Sequence, residues 1–252
     1  MRVAVIIPTF DDDAALERLL SHLAYLEPGP DDVIVSDGAC SDATQLLCRR
    51  FGATYIPARS GRGGQLALGV ARARADVLWF LETACEPHAD AVIAIQECVS
   101  RGATGGYFRF QFGGKQTWYK QLLEHGMAAR AHFGTVYGEQ GIFVTRSAYA
   151  QTQGFTISPL FEQVKLVRAL KRTGRFIPVP LTVGVSPKRW EQEGFIRRTL
   201  FTRFLAFAHM LGASPGMLAR WNGTRMRYVA SQVEEPAQGK KRSPDTGAAG
   251  KH

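Results

Sequence analysis

The chain is poor in several features whose absence is informative. Only four cysteines occur in 252 residues, Cys40, Cys48, Cys85 and Cys98. They form no CxxC pair and have no histidine at zinc-ligand spacing, which excludes a disulfide framework and a zinc knuckle and points to free thiols in a reducing compartment. No apolar run approaches the roughly 18 residues of a spanning helix. The best candidate, Phe204 to Gly212, follows Arg203 and contains His209. The opening MRVAVIIPTF meets Pro8 and an acidic stretch too early for a signal peptide and reads as a first strand. P-loop, GxGxxG, zinc-finger and RNP motifs are all missing, as is any internal repeat. Lys and Arg exceed Asp and Glu by 31 to 22, giving +9 and a pI of about 9.7. The basic residues are dispersed, with no polybasic block, so the surface is expected to attract nucleotides or acidic head groups and not nucleic acid.

What is present describes a globular α/β chain. Hydrophobic residues make up 45% of the sequence, and a chain of this size buries roughly three quarters of its unfolded surface without staples. Short β-branched runs at 3–7, 33–36, 53–56 and 77–81 read as buried strands. Helical patterns lie between them: Asp12 to Tyr25 with Leu16, Leu19, Leu20 and Leu23 on one face, a stretch opening at Ser41, and Gln65 to Arg74 after a run of glycines. Repeated βα units imply a parallel, doubly wound sheet whose ligands sit beyond the carboxyl ends of the strands. Beyond residue 100 the pattern is mixed. GGYFRFQF (105–112) alternates like a strand with an exposed face, a helix spans Thr117 to Phe133, and GIFV (141–144) is another strand. A helix follows over Leu160 to Arg172, then one or two Pro-interrupted strands in FIPVPLTVGV, then a basic amphipathic helix over 195–211. From Ser231 onward the composition predicts a disordered tail.

Candidate chemistry gathers at strand ends. Asp37 and Gly38 close the second strand, where a carboxylate faces the ligand crevice; bracing the turn, or capping the next helix beside Ser41, is the competing role. SGRGG (60–64) offers backbone N–H groups and Arg62 to a diphosphate, or is a plain flexible turn. Asp11, Asp12 and Asp13 follow the first strand, the last two suited to a helix start. Glu82 and Glu86 flank the end of the fourth strand, where oxygen ligands would hold Mg or Mn. Glu139 sits in a Gly-bounded turn, Glu162 and Gln163 begin a helix, and Arg189 and Trp190 lie in a late loop. Cys40, near a helix start without a basic partner, is expected to be inert.

In order and spacing these segments resemble the family 2 glycosyltransferases of the GT-A fold, most closely a bacterial branch of arsenosugar-biosynthesis type. The resemblance runs over residues 2–222. VAVIIPTFDDD, DVIVSDGACSDAT, SGRGGQLALGVARA, VLWFL, YGEQGIFV, PLFEQVKLVRALKRTGR, PKRWEQEG and LGASPGMLARW carry it. It implies a Rossmann-like sandwich with a mostly parallel mixed sheet, in a single domain over 1–230 with a nucleotide-binding half (1–103) and an acceptor half (104–230), before a tail at 231–252. It implies inverting transfer of a sugar from a nucleotide-diphosphate donor, uridine-based, to a small-molecule or lipid acceptor. Pro8, Asp11, Asp37, Gly38 and Gln65 then belong to the nucleotide pocket, Arg62 to base or phosphate contacts, Arg189 and Trp190 to the acceptor and diphosphate side. Residues 82–85 form the segment that supplies the metal-binding aspartate, with Glu82 and Glu86 as the remaining candidates for Mg or Mn. Glu162, Gln163 and Glu139 are the catalytic candidates.

Two positions depart from the family. Ala84 stands where the metal-binding aspartate is expected, and Gln163 where the basic aspartate is expected; an amide has no basic lone pair. Glu162 is adjacent, but successive helical residues diverge by about 100°. The resemblance therefore implies either a glycosyltransferase with rebuilt machinery or a degenerate nucleotide-sugar-binding or scaffold protein. The expected location is the cytoplasm, with 195–211 as a contact to the inner membrane face.

Overall fold

The computed structural model describes residues 1–132, 136–155 and 162–187, with Glu191, Gly194, Phe201, Phe204 and Ala208. Arg189, Trp190, most of 195–211 and the 231–252 tail lie outside the described residues. The first four strands are β1 (Val3–Thr9), β2 (Asp32–Asp37), β3 (Thr54–Pro57) and β4 (Val77–Phe80). Between them run α1 (Asp13–Ala24), α2 (Asp42–Arg50) and α3 (Arg62–Arg72). A short β5 (Cys85–Pro87), α4 (Ala91–Ser100), β6 (Gly105–Phe112) and α5 (Trp118–His132) follow. A 3-10 turn at Gly138–Gln140 leads into β7 (Phe143–Thr145), α6 (Arg146–Ala150), α7 (Glu162–Thr173) and β8 (Phe176–Val185).

All eight strands join one sheet in the order β3-β2-β1-β4-β7-β6-β8-β5. β3, β2, β1 and β4 are mutually parallel, β7 is antiparallel to both β4 and β6, and β8 returns parallel to β6. The chain runs outward from β1 to β3 and then crosses to place β4 on the other side of β1. This reversal opens a crevice at the carboxyl ends of β1 and β4.

Strand alternation divides the core between the two faces. Val3, Val5 and Ile7 pack with Leu16, Leu19 and Leu20 of α1 and Ile95 of α4, while Ala4 and Ile6 pack with Leu66 of α3 and Val167 and Leu170 of α7. All seven residues of β1 are buried, the signature of a central strand covered by helices on both sides.

The structure corrects three expectations. α3 begins at Arg62, so Gly63 and Gly64 form its first turn and the glycine-rich loop is shorter than its composition suggests. The strand β6 is interior, flanked by β7 and β8, and only Arg109 of its eight residues is exposed; its alternation of aromatics with Gly and Arg mimicked a one-sided strand. The run at 53–56, expected to be a buried strand, is the edge strand β3 and only partly buried because one of its sides has no neighbour; FIPVPLTVGV forms the single strand β8, one of the two forms the sequence left open, with a register shift opposite Tyr107 and Arg109. The small strand β5, antiparallel to β8 at the sheet edge, was too short to register as a periodic pattern. Among the described residues no helix is long and apolar enough to cross a membrane.

Gly69 fixes how closely α3 approaches the sheet, because a Cβ there would strike Ile6 Cγ2 and lie 3.3 Å from Ser36 Oγ. Helix propensity favours alanine over glycine by about 1 kcal/mol, but overpacking a closed interface costs about 1–3 kcal/mol. Gly69→Ala is expected to lower the urea midpoint, with a net loss of up to about 2 kcal/mol, and a raised midpoint would mean that the helix shifts freely.

Candidate active site

The crevice is framed by backbone that only particular residues tolerate. Asp11 and Cys40, just beyond β1 and β2, have φ of 48° and 56°, the left-handed region that non-glycine residues enter at a cost and that clusters at functional sites. Gly38 N–H donates to the Thr9 carbonyl at 3.0 Å, tying the two strand ends together.

Asp37 is completely buried. Its Oδ1 accepts from Ala39 N–H at 2.9 Å, its Oδ2 from Ser41 N–H at 2.7 Å and from the Tyr55 hydroxyl at 3.4 Å. Burial, with the Asp37 charge second, pushes the Tyr55 hydroxyl up to about 12. In this conformation the carboxylate builds the loop after β2, the bracing role that the sequence left open. Ser41 is the N-cap of α2, its Oγ accepting from Thr44 N–H at 3.2 Å.

Gln65, 3% exposed, donates its amide to the carbonyls of Thr9 (2.7 Å) and Ser36 (2.9 Å) and so locks α3 onto the ends of β1 and β2. The nucleotide-pocket candidates Pro8 and Gly38 are buried beside it and Asp11 is exposed at the rim. Asp12 occupies the α1 N-cap without a side-chain cap bond; its Oδ2 accepts from Thr83 Oγ1 at 2.8 Å, so it links α1 to the exit of β4 instead of capping. Asp13 accepts from Thr44 Oγ1 at 2.7 Å and joins α1 to α2.

At the mouth of the crevice, residues far apart in sequence meet. Arg62, opening α3, forms an ion pair with Glu82, the second residue after β4, and the side chains are 25% and 18% exposed. Both lie against the 3-10 turn. A Cβ on Gly138 would strike Glu82 Oε1 and Gln163 Nε2 and would lie 3.0 Å from Arg62 Nη2. Gln163 is buried, and its Oε1 accepts from Gly138 N–H at 2.9 Å, so the amide anchors α7 to the turn. The turn's Glu139 is half-buried, and its carbonyl lies 3.8 Å from Cys85 Sγ. Burial, then the negative charge of Glu139, drive the Cys85 thiol far above its ordinary value. The side chain of Glu162, like Arg189 and Trp190, lies outside the described set.

The metal reading on Glu82 and Glu86 does not find its donor set. Glu82 is paired with Arg62, whereas Glu86 is exposed on β5, its Oε2 lying 3.6–3.7 Å from the positions of a Cβ on Gly184 and Gly113. Ala84 between them offers no ligand atom. Among the described residues no three His, Cys, Asp or Glu side chains come together as a metal site, and Glu82 and Glu86 by themselves do not supply the oxygen donors that a divalent ion takes.

Sequence reasoning missed the Arg62–Glu82 pair, the Thr83–Asp12 bond and the role of Gly138. The glycine in YGEQG was the one available signal, since an invading cluster of polar groups demands a missing side chain.

The sequence profile of the Glycosyl transferase family 2 matches residues 4–152, and the chain belongs to that family. No curated protein matches the chain with significance. Among solved structures, glucosyl-3-phosphoglycerate synthase from Mycobacterium tuberculosis, in complex with Mn2+, UDP and phosphoglyceric acid, is 20% identical with a TM-score of 0.53, covering 73% of this chain and 69% of that one. S. aureus TarS 1-349 is 14% identical with a TM-score of 0.59, covering 76% and 63%. At such identities the likeness is one of fold, and that fold is the GT-A architecture with its mostly parallel mixed sheet.

Two outcomes test this geometry. Asp37→Asn sets an amide nitrogen against a backbone donor, and thermal unfolding is expected to show a loss of about 2 kcal/mol; wild-type stability would mean that the loop does not depend on the charge. Cys48, raised to about 11 chiefly by burial, and Cys85 both stay protonated at pH 8. Both are therefore expected to resist iodoacetamide in the native protein and to react in denaturant, as read by peptide mass spectrometry.

Proposed function

We propose that this family 2 glycosyltransferase moves a hexosyl group from a uridine-diphosphate donor to a small-molecule or lipid acceptor, with inversion at the anomeric carbon. The observation that carries the reading is the meeting of Arg62, Glu82, Gly138 and Gln163 at the mouth of a crevice framed by Asp37, Gln65 and the positive-φ residues Asp11 and Cys40. It provides a cation, fixed backbone donors and adjacent carboxylates at the carboxyl ends of parallel strands. The solved complexes of the M. tuberculosis synthase hold UDP or UDP-glucose with Mn2+ and phosphoglyceric acid, which supports a uridine donor here. Motif order supports placement in the arsenosugar-biosynthesis-type branch and the division into nucleotide and acceptor halves at about residue 103.

In this reading the uracil and ribose lie along Pro8 to Asp11 and the loop of Asp37 and Gly38. The diphosphate faces Arg62 at the open start of α3, which no side chain caps. Arg189 and Trp190 line the acceptor and diphosphate side. The acceptor hydroxyl gives its proton to a carboxylate as its oxygen attacks the anomeric carbon, and the bond to the nucleoside diphosphate breaks on the opposite face. Gln163 has no basic lone pair, so its part is positioning; Glu162 and Glu139 are the carboxylates from which the base is drawn. A cytoplasmic protein whose 195–211 segment touches the inner membrane face fits a lipid acceptor.

A second reading, a binding or scaffold protein that holds the nucleotide sugar without turnover, rests on Ala84 and Gln163, neutral where the family resemblance expects acids.

Titration calorimetry is expected to show UDP binding, and a coupled assay is expected to show UDP release from a UDP-hexose when acceptor extracts are added. Replacing the true base, Glu162→Gln or Glu139→Gln, is expected to slow release by about 100-fold with UDP affinity unchanged. Binding without release from any nucleotide sugar would favour the second reading.

A further inference from the structure

The Arg62–Glu82 pair sits where a donor diphosphate would arrive, and its surroundings explain how it could open. Arg62 is the first residue of α3, and Gln65, one turn along, is locked to the Thr9 and Ser36 carbonyls. The backbone that carries the guanidinium is therefore fixed, and its pairing with Glu82 is what can be exchanged. Glu82 follows β4, held on that side by the bond from Thr83 to Asp12. Both side chains keep partial access to solvent, 25% and 18%, so an incoming anion reaches them.

We propose that Glu82 is an internal stand-in for the donor diphosphate: it holds Arg62 in place in the empty enzyme and yields it when the diphosphate binds, without a divalent ion. This rests on the reading of the crevice as a nucleotide-sugar site. The exchange moves one charge-assisted contact from the Glu82 carboxylate, with one negative charge, to the donor diphosphate, which carries two.

The released carboxylate already has a neutral donor beside it. Gln163, anchored through Oε1 to Gly138 N–H, and Glu82 both border the space that a Cβ on Gly138 would fill, the first through Nε2 and the second through Oε1. An amide can take over the carboxylate there, whereas an aspartate or glutamate at 163 would repel it. Gly138 itself leaves the room in which the three groups meet, since any Cβ would fill it. The neutrality of residue 163 is thus part of the device, as is the absence of a ligand atom at Ala84.

The experiment uses the full chain, once in EDTA and once with Mn2+, with inorganic pyrophosphate and UDP as separate probes, read by calorimetry. Pyrophosphate is expected to bind the wild type without metal. Glu82→Gln, which removes the competitor and keeps its shape, is expected to tighten that binding by about tenfold, and Glu82→Ala to do the same. Arg62→Ala is expected to weaken it by about tenfold or more, and the double variant to show no gain from position 82. Melting curves of both Glu82 variants identify any loss of fold, and the one that remains folded decides.

Unchanged or weaker pyrophosphate binding in the folded variant overturns the proposal, as does binding that appears only with Mn2+ or no binding by either form. The two layers separate cleanly. If the pyrophosphate pattern holds but UDP and other nucleoside diphosphates bind no better, the nucleotide reading fails and the exchange stands. If UDP binds only with Mn2+, the nucleotide reading stands and the exchange falls.

Discussion

One buried amide sets the geometry of the crevice. Gln65 bonds the carbonyls that end β1 and β2, so the first turn of α3 is fixed against two strands at once and cannot slide along either. Gly69, one turn later, brings the same helix into contact with Ile6 and Ser36. The consequence propagates outward. With α3 fixed, Arg62 has a defined origin; with Arg62 placed, Glu82 has a partner at the exit of β4; and with that pair in place, the 3-10 turn closes over it only as glycine. Gln163 then completes the chain by joining α7 to the turn through Gly138 N–H. Residues from four separate elements are aligned by a short sequence of polar contacts, each fixed by the one before. Such preorganisation lets a side chain act on a ligand with little reorganisation.

The first half of the fold was legible because β1 and β4 are buried throughout and its helices bury one stripe. The runs at 3–7 and 33–36 fall inside β1 and β2, and the leucines of α1 are buried as their spacing requires. The second half was less so, for identifiable reasons. Burial of β6 on both faces depends on which strands flank it, β7 arriving after a 30-residue excursion and β8 later still, and no local pattern encodes that. The glycines at 63 and 64 read as a turn by composition, yet α3 accepts them because close packing against Ser60 leaves no space for a Cβ on Gly64.

The site divided in the same way. That Asp37, Arg62, Glu82, Glu139 and Gln163 would matter was readable from their positions at strand ends and helix starts. Their partners were not. Asp37 could have faced a ribose or its own loop, and only the structure shows both of its oxygens engaged by the backbone after β2. Arg62 and Glu82 stand twenty positions apart, and opposite charges at that separation pair only if α3 and β4 bring them to the same side of β1. Their meeting is a property of the strand order, in which β4 crosses back beside β1.

Charge balance connects the substitutions. A divalent ion adds two positive charges and needs carboxylates to hold it; the chain has neutral residues at both positions where its resemblance expects acids, Ala84 and Gln163. Neutral side chains at both leave Arg62 and Glu82 as paired charges at the mouth of the crevice, partly shielded from water, where opposite charges interact more strongly than on an open surface. An acid at 163 would share the edge of Gly138 with Glu82 and raise the cost of keeping both carboxylates ionised.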